Sequence, residues 1–325
     1  MDSGNNSIKK PKIKIKANSL NKNNKISITK KNLNSILILE NIVQQKSNDK
    51  ILILKKDYLL KDEKYNPKFN VIKNKVIDIK KVNEKDILVI KSISKNFDGR
   101  PVLKNISLKL TPGKIIGVFG QNGCGKTTLF NCITGKLKPN TGQIFFNGIK
   151  INDKPIHERS LLGISLTEQH LGLFSGMTVY ENLYAILELF YNEKDKINTK
   201  IDELLNIFGL MYAKNLLARN LSGGEYKRAV ILQRICNPSL KVLLLDEPLA
   251  ALSPVAIQSL KSFLVKLKEL NIALCLTDHQ FMAIQDIVDH CIVINDGEVV
   301  VSGVPREIVN DKNAIKYYLG SNFKI

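Results

Sequence analysis

Residues 120–128 read GQNGCGKTT. Three glycines, a lysine and two threonines within nine positions form a set suited to holding phosphate. Glycine lets the backbone turn so that successive N–H groups face one anion. The pattern Gly120-x4-Gly125-Lys126-Thr127 is that of a phosphate-binding loop. In such a loop the lysine reaches the outer phosphates, the threonine hydroxyl binds Mg²⁺, and the N-terminus of the next helix adds partial positive charge. Gln121, Asn122, Gly123, Cys124 and Thr128 fill the rest of the cradle. Cys124 has two readings. It is a small residue that fits between glycines, or it is a reactive thiol, because a helix N-terminus and Lys126 both favour thiolate.

Three further stretches carry residues of chemical interest: LSGGE at 221–225, KVLLLDEP at 241–248 and TDH at 277–279. Taken alone, each has a structural reading. The first is a helix cap with a tight turn, the second a buried strand ending in acids, the third a histidine at a strand end.

The elements that must position these residues follow from hydrophobic periodicity. From Asp86 onward, ILVIKSIS and PVLKNISLKL read as strands, the second with period-2 alternation, and TPGK marks a turn. KIIGVFG is a short buried strand feeding the glycine loop, with a helix expected from Lys126. Residues 170–220 have helical periodicity, as in VYENLYAILELFY and IDELLNIFGL. KVLLLD, a helix after Pro254 and the strand IALCLTD follow. Buried strands alternating with helices predict an α/β domain, with the helical block as an insertion.

Composition narrows the setting. The net charge is +19, and residues 1–85 hold 21 Lys, no Arg and only 8 acidic residues. Residues 1–34 are predicted to be a disordered basic tail, and residues 35–85 a basic extension of unassigned fold. The excess charge has two readings: base-composition bias in a tolerant segment, or affinity for anionic lipid or nucleic acid. No apolar run approaches the roughly 18–20 residues of a membrane span, and no secretory signal is visible. The five cysteines form no CxxC pair, which argues against a disulfide framework or zinc site and points to a reducing cytosol.

In this order behind a phosphate loop, the motifs resemble the ATP-binding cassette (ABC) family over residues 87–325. The resemblance implies a P-loop ATPase domain at 86–325, a helical subdomain at about 170–220, and ATP with Mg²⁺ as cofactors. It also implies roles. Phe97, in the polar turn NFDGR, stacks on adenine. Gln169 touches Mg²⁺ and the attacking water and senses a membrane partner. Asp246 holds Mg²⁺, Glu247 polarises the attacking water, and His279 lies near the γ-phosphate. Ser222, Gly223, Gly224 and Glu225 contact the γ-phosphate bound to the opposite subunit, so two copies pair head to tail. His157, His170 and His290 match no such role. Three positions depart from the family pattern: Glu168 stands where many relatives have Pro, Ser253 where they have Asp, and Cys124 where Ala or Ser is common. The missing Asp puts coupling between the two ATP sites in doubt.

The run GISLTEQHLGLFSGMTVYENLYAIL matches importer and exporter ATPases alike, and Phe174 within it is expected either to line a groove for a permease or to pack in the core. The ending YLGSNFKI looks most like that of the lipopolysaccharide-export ATPases. The resemblance therefore implies a homodimer under two transmembrane permease subunits on the cytoplasmic face of the inner membrane, with no direct contact to nucleic acid. The alternatives are an ATPase of branched-chain amino-acid or other uptake, and a soluble ABC protein acting on ribosomes or nucleic acid.

Overall fold

The computed structural model describes residues 86–168 and 172–320. The basic tail, the unassigned extension, Gln169 and the end of the YLGSNFKI run lie outside the described residues.

The chain opens with β1 (Leu88–Phe97), β2 (Arg100–Leu110) and β3 (Ile115–Phe119), then α1 (Lys126–Thr134), β4 (Thr141–Phe146), β5 (Ile149–Lys150), α2 (Ile156–Leu162) and β6 (Ile164–Thr167). The helical block follows as α3 (Val179–Leu187) and α4 (Lys194–Ile207), with two short 3₁₀ turns. Then come α5 (Gly223–Ile235), β7 (Val242–Asp246), α6 (Pro254–Glu269), β8 (Ala273–Asp278), α7 (Phe281–Ile284), β9 (His290–Asn295), β10 (Glu298–Gly303), α8 (Pro305–Ile308) and α9 (Lys312–Ala314). A π-helical turn, Ile315–Leu319, ends the described chain. Strands and helices thus fall where periodicity placed them. β4, β5 and β6 were not signalled.

Two sheets form. One is antiparallel, in the order β2-β1-β4-β5; the other runs β10-β9-β3-β8-β7-β6. In the second, β9, β3, β8, β7 and β6 are parallel and β10 is an antiparallel edge. Both faces of this sheet are covered, which is why its strands are continuous apolar runs. Ile115 and Phe119 of β3, Leu243 and Leu245 of β7, and Leu274 and Leu276 of β8 pack with α3 to α6. The alternate residues Ile116, Val118, Val242, Leu244, Ala273 and Cys275 pack with α1 and the antiparallel sheet. Parallel strands put their carboxyl ends on one edge, where ligands of open α/β sheets bind. The register there sets Phe119 beside Asp278, and Asp246 beside Thr277.

Candidate nucleotide site

The phosphate loop leaves β3 at that edge. Gly120 has a positive φ, and a Cβ there would meet the Ile294 carbonyl at 2.2 Å. Gly125 caps α1 at φ 110, where a Cβ would meet Leu103 and the Val102 carbonyl at 2.8 Å. Both positions therefore require glycine. The loop curls round the buried Lys126, whose Nζ donates to the carbonyls of Gly120 at 2.8 Å and Gln121 at 2.9 Å. Helix α1 starts at Lys126, as expected, so Thr127 and Thr128 lie in its first turn.

The acids of KVLLLDEP lie across the loop. Thr127 Oγ1 donates to Asp246 Oδ2 at 2.9 Å, and Thr277 Oγ1 donates to Asp246 Oδ1 at 2.6 Å. Thr127 and Asp246 thus present hard oxygen donors at one point, a set that fits Mg²⁺. Glu247 takes up φ 47, and its N–H donates to both oxygens of Thr277, at 3.0 and 3.1 Å. His279 follows β8 with a half-exposed side chain, its Nδ1 3.7 Å from Asp278 Oδ1. The fully buried Asp278 is a hub that the motif reading passed over. Its carboxylate accepts from the N–H groups of Leu249 at 3.1 Å and Gln280 at 2.9 Å, joining the loop after Glu247 to the loop carrying His279.

LSGGE opens α5 as expected. Ser222 is the N-cap in a reciprocal box with Glu225. This box qualifies the assignment of Glu225 to nucleotide contact. Its carboxylate accepts from the Tyr212 hydroxyl at 2.7 Å and Ser222 N–H at 2.8 Å. Those bonds, the Tyr212 one first, hold its pKa below the ordinary glutamate value. Ser222 and Gly223 are exposed at the N-terminus of this helix.

The reactive-thiol reading of Cys124 is overturned. Its side chain is buried, and burial pushes the thiol pKa up despite the pull of Lys126. Desolvation outweighs the nearby cation, leaving a small space-filling residue.

The Ser253 departure is structurally accommodated. Its Oγ accepts from Ala256 N–H at 3.3 Å as the N-cap of α6, with Pro254 at the first helical position. Glu168 is also accommodated, pairing with Lys136 and facing Arg234. Phe97 ends β1 with its ring exposed, Lys95 Nζ 5.1 Å above it, at the tip of the hairpin whose other strand meets Gly125. His290 bonds to Ser302 at 2.9 Å, a structural contact.

The core reading of Phe174 is excluded, because the residue is 64% exposed. Fully buried Asn182 holds its loop. The Asn182 Oδ1 accepts from Phe174 N–H at 2.7 Å, and Nδ2 donates to the carbonyls of Phe174 at 3.1 Å and Thr178 at 2.9 Å. A cleft of about 390 Å³, lined by Met177, Tyr180, Tyr184 and Glu188 among others, opens on α3. Sequence reading missed Asn182, although a lone polar residue on the apolar face of α3 was its signal. It also missed Arg159, which is 1% exposed and donates to the carbonyls of Cys132, Ile133, Lys154 and Asn152 at 2.8–3.0 Å. Two of these belong to the last turn of α1, so a cation sits where the helix dipole is negative.

A family model described as "ABC transporter" matches residues 103–250. The lipopolysaccharide export system ATP-binding protein LptB of Haemophilus influenzae is 32% identical over 244 residues, 74% of this chain and 99% of that protein. LptB of Escherichia coli K12 is 30% identical over 73% of this chain and 99% of its own length. An uncharacterized ABC transporter ATP-binding protein of Rhizobium meliloti is 31% identical, over 73% of this chain and 88% of its own length. Among solved structures, a nucleotide-free ATP-binding cassette from an ABC transporter superposes with a TM-score of 0.66 at 27% identity, covering 73% of this chain and 100% of that one. An ATP-binding cassette in its ADP conformation does so at 0.66 and 26% identity, covering 73% of this chain and 99% of its own. Relatives this similar along almost their whole length lead to one conclusion: the chain belongs to the ABC transporter ATP-binding family and is an ATP-hydrolysing enzyme.

Proposed function

We propose that this chain powers lipopolysaccharide extraction from the inner membrane, as the ATPase subunit of an export transporter. The observation that carries the specific system is the similarity to LptB proteins along 99% of their length. The cassette would occupy residues 86–325 and work as a head-to-tail homodimer beneath two permease subunits, on the cytoplasmic face. Among the described residues no helix is long and apolar enough to cross a membrane, so contact with the bilayer would come through those partners. Phe174, held outward on a loop braced by Asn182, suits a docking contact.

The mechanism rests on positioning and charge, as expected for phosphoryl transfer. Lys126 and the N-terminus of α1 neutralise the phosphates. Thr127 and Asp246, with Gln169 from outside the described residues, would hold Mg²⁺, which would supply charge neutralisation to the phosphates. Glu247 orients and polarises the attacking water, and His279 lies at the γ-phosphate end. Phe97 offers a face to adenine. Ser222, Gly223 and Gly224 present backbone donors to the nucleotide of the second copy.

Purification from detergent-solubilised membranes of its own cell, followed by mass spectrometry, tests the reading. Co-purification with two membrane proteins bearing periplasmic β-rich domains is expected. Multi-span permeases with a solute-binding protein would instead make it an uptake ATPase. Ribosomal proteins or nucleic acid without a permease would overturn transport altogether.

A further inference from the structure

Three carboxylates crowd the sheet edge. Asp246 and Asp278 are buried, and Glu247 follows Asp246 directly. The hydroxyls of Thr127 and Thr277 and the N–H groups of Leu249 and Gln280 give the two aspartates neutral hydrogen bonds, and His279 Nδ1 lies 3.7 Å from Asp278. Lys126 is turned into the phosphate loop. Buried carboxylates need a compensating cation. Lys227 faces Asp278, Glu247 and Asp246 together. It lies five positions after Ser222, on the helix that LSGGE opens. Burial lowers its pKa, and the three acids, Asp278 foremost, hold it up.

Lys227 also touches the backbone of the general base. Its Nζ donates to the Glu247 carbonyl at 3.4 Å, and Ala250 N–H donates to the same oxygen at 3.2 Å. On the other side of the residue, Glu247 N–H is fixed by Thr277. Both peptide planes of a residue in the left-handed region are therefore tied down. For a non-glycine residue that conformation is disfavoured and persists only where the surroundings enforce it.

We propose that Lys227 is a positioning residue for hydrolysis: it fixes the peptide of Glu247 and ties it to the signature helix, so that the base is aligned when that helix is seated. The signature helix serves one nucleotide of a head-to-tail pair and Glu247 the other, so a single side chain links the two sites. Gly224 packs closely on Ala256 at the start of α6, which sets this helix against the loop leaving Glu247. The link between sites rests on the proposed head-to-tail dimer.

The test uses the full-length chain and Mg²⁺-ATP, with Lys227→Met, Lys227→Arg and Glu247→Gln assayed side by side. Steady-state hydrolysis gives kcat and KM, a fluorescent ATP analogue gives affinity, and thermal melting reports the fold. Lys227→Met is expected to lower kcat on the order of 10–100-fold, the cost of a misplaced catalytic group. KM and affinity should stay within about three-fold, because no transition-state-independent contact is removed. Lys227→Arg, which keeps charge and donor, should recover most of the rate. The proposal is overturned if Lys227→Met keeps kcat within about two-fold, if the loss appears in KM, or if the Arg variant is equally impaired. Should the Met variant fail to melt cooperatively, Lys227→Gln is judged by the same criteria. If Glu247→Gln is inactive while Lys227→Met is not, the inference alone fails. If Glu247→Gln keeps full activity, the assignment of the base fails instead.

Discussion

Thr127 and Asp246, separated by more than a hundred residues in sequence, are joined by a 2.9 Å hydrogen bond from hydroxyl to carboxylate. The first turn of α1 and the end of β7 are thereby locked at one point before any ligand is considered. An oxygen pair held by the scaffold needs little reordering to accept a hard divalent ion. Asp246→Asn should keep the fold and the hydrogen bond but lose charge at that point. The expected outcome is a loss of kcat on the order of 100-fold and a higher Mg²⁺ requirement, read from hydrolysis rates titrated against Mg²⁺.

Glu247→Gln preserves shape while removing the carboxylate proposed as the base. Its kcat should fall at least about 100-fold with KM little changed. ATP should then accumulate a long-lived dimer, visible by size-exclusion chromatography with and without nucleotide. A variant that hydrolyses ATP normally would remove Glu247 from the mechanism.

Arg159 is satisfied by four backbone carbonyls. Burial lowers its pKa from the usual value. Arg159→Met would strand those carbonyls at the end of the phosphate-loop helix, at a cost of about 3 kcal/mol. Lysine should not rescue, since one ammonium cannot span the set. Thermal melting of both variants checks this, and an unchanged midpoint would show that water satisfies the carbonyls.

The five cysteines set an alkaline limit. Burial pushes the thiols of Cys132 to about 11 and of Cys236 and Cys291 to about 12, from an ordinary 9.0, and raises Cys124 and Cys275 as well. A folded-state pKa above the unfolded one means that the unfolded chain releases its protons first. The stability these groups contribute is therefore complete below pH 9 and drains away as pH rises from 9 toward 12. Melting temperature should decline across that window, and replacing Cys236 with Ala should flatten the decline. Alkylation of Cys124 near neutral pH should be slow with or without ATP.

Phe174→Ala should leave hydrolysis by the isolated chain within about two-fold and the melting point unchanged, because an exposed ring contributes little to the core. Recovery of membrane partners should fall. Unchanged recovery of membrane partners would overturn the docking role.

The local parts of this architecture were legible in the sequence. Gly125 and Lys126 announced a strand-loop-helix, and Ser222 with Glu225 announced a capped helix, because each signal lies within a few residues. Asp278 and Arg159 were not legible as anchors, since part of each one's partner set comes from elements 26–29 residues away. Cys124 shows the converse limit. Its sequence neighbours favour a thiolate, but the side chains that strip it of water are contributed by the folded sheet. Asn182 lay between these cases, its polarity visible on an apolar face and its backbone partners not.

Glu247, the residue proposed to polarise the attacking water, takes φ 47. Its position thus filters substitutions twice, once by function and once by backbone shape. In a saturation library of this codon, Asn, Asp and Gly should yield well-folded but inactive chains, because they enter the left-handed region readily. Val, Ile and Thr should be lost at the level of soluble expression, before catalysis is ever tested. Abundance and activity measured across such a library would therefore sort the same substitutions in two different orders.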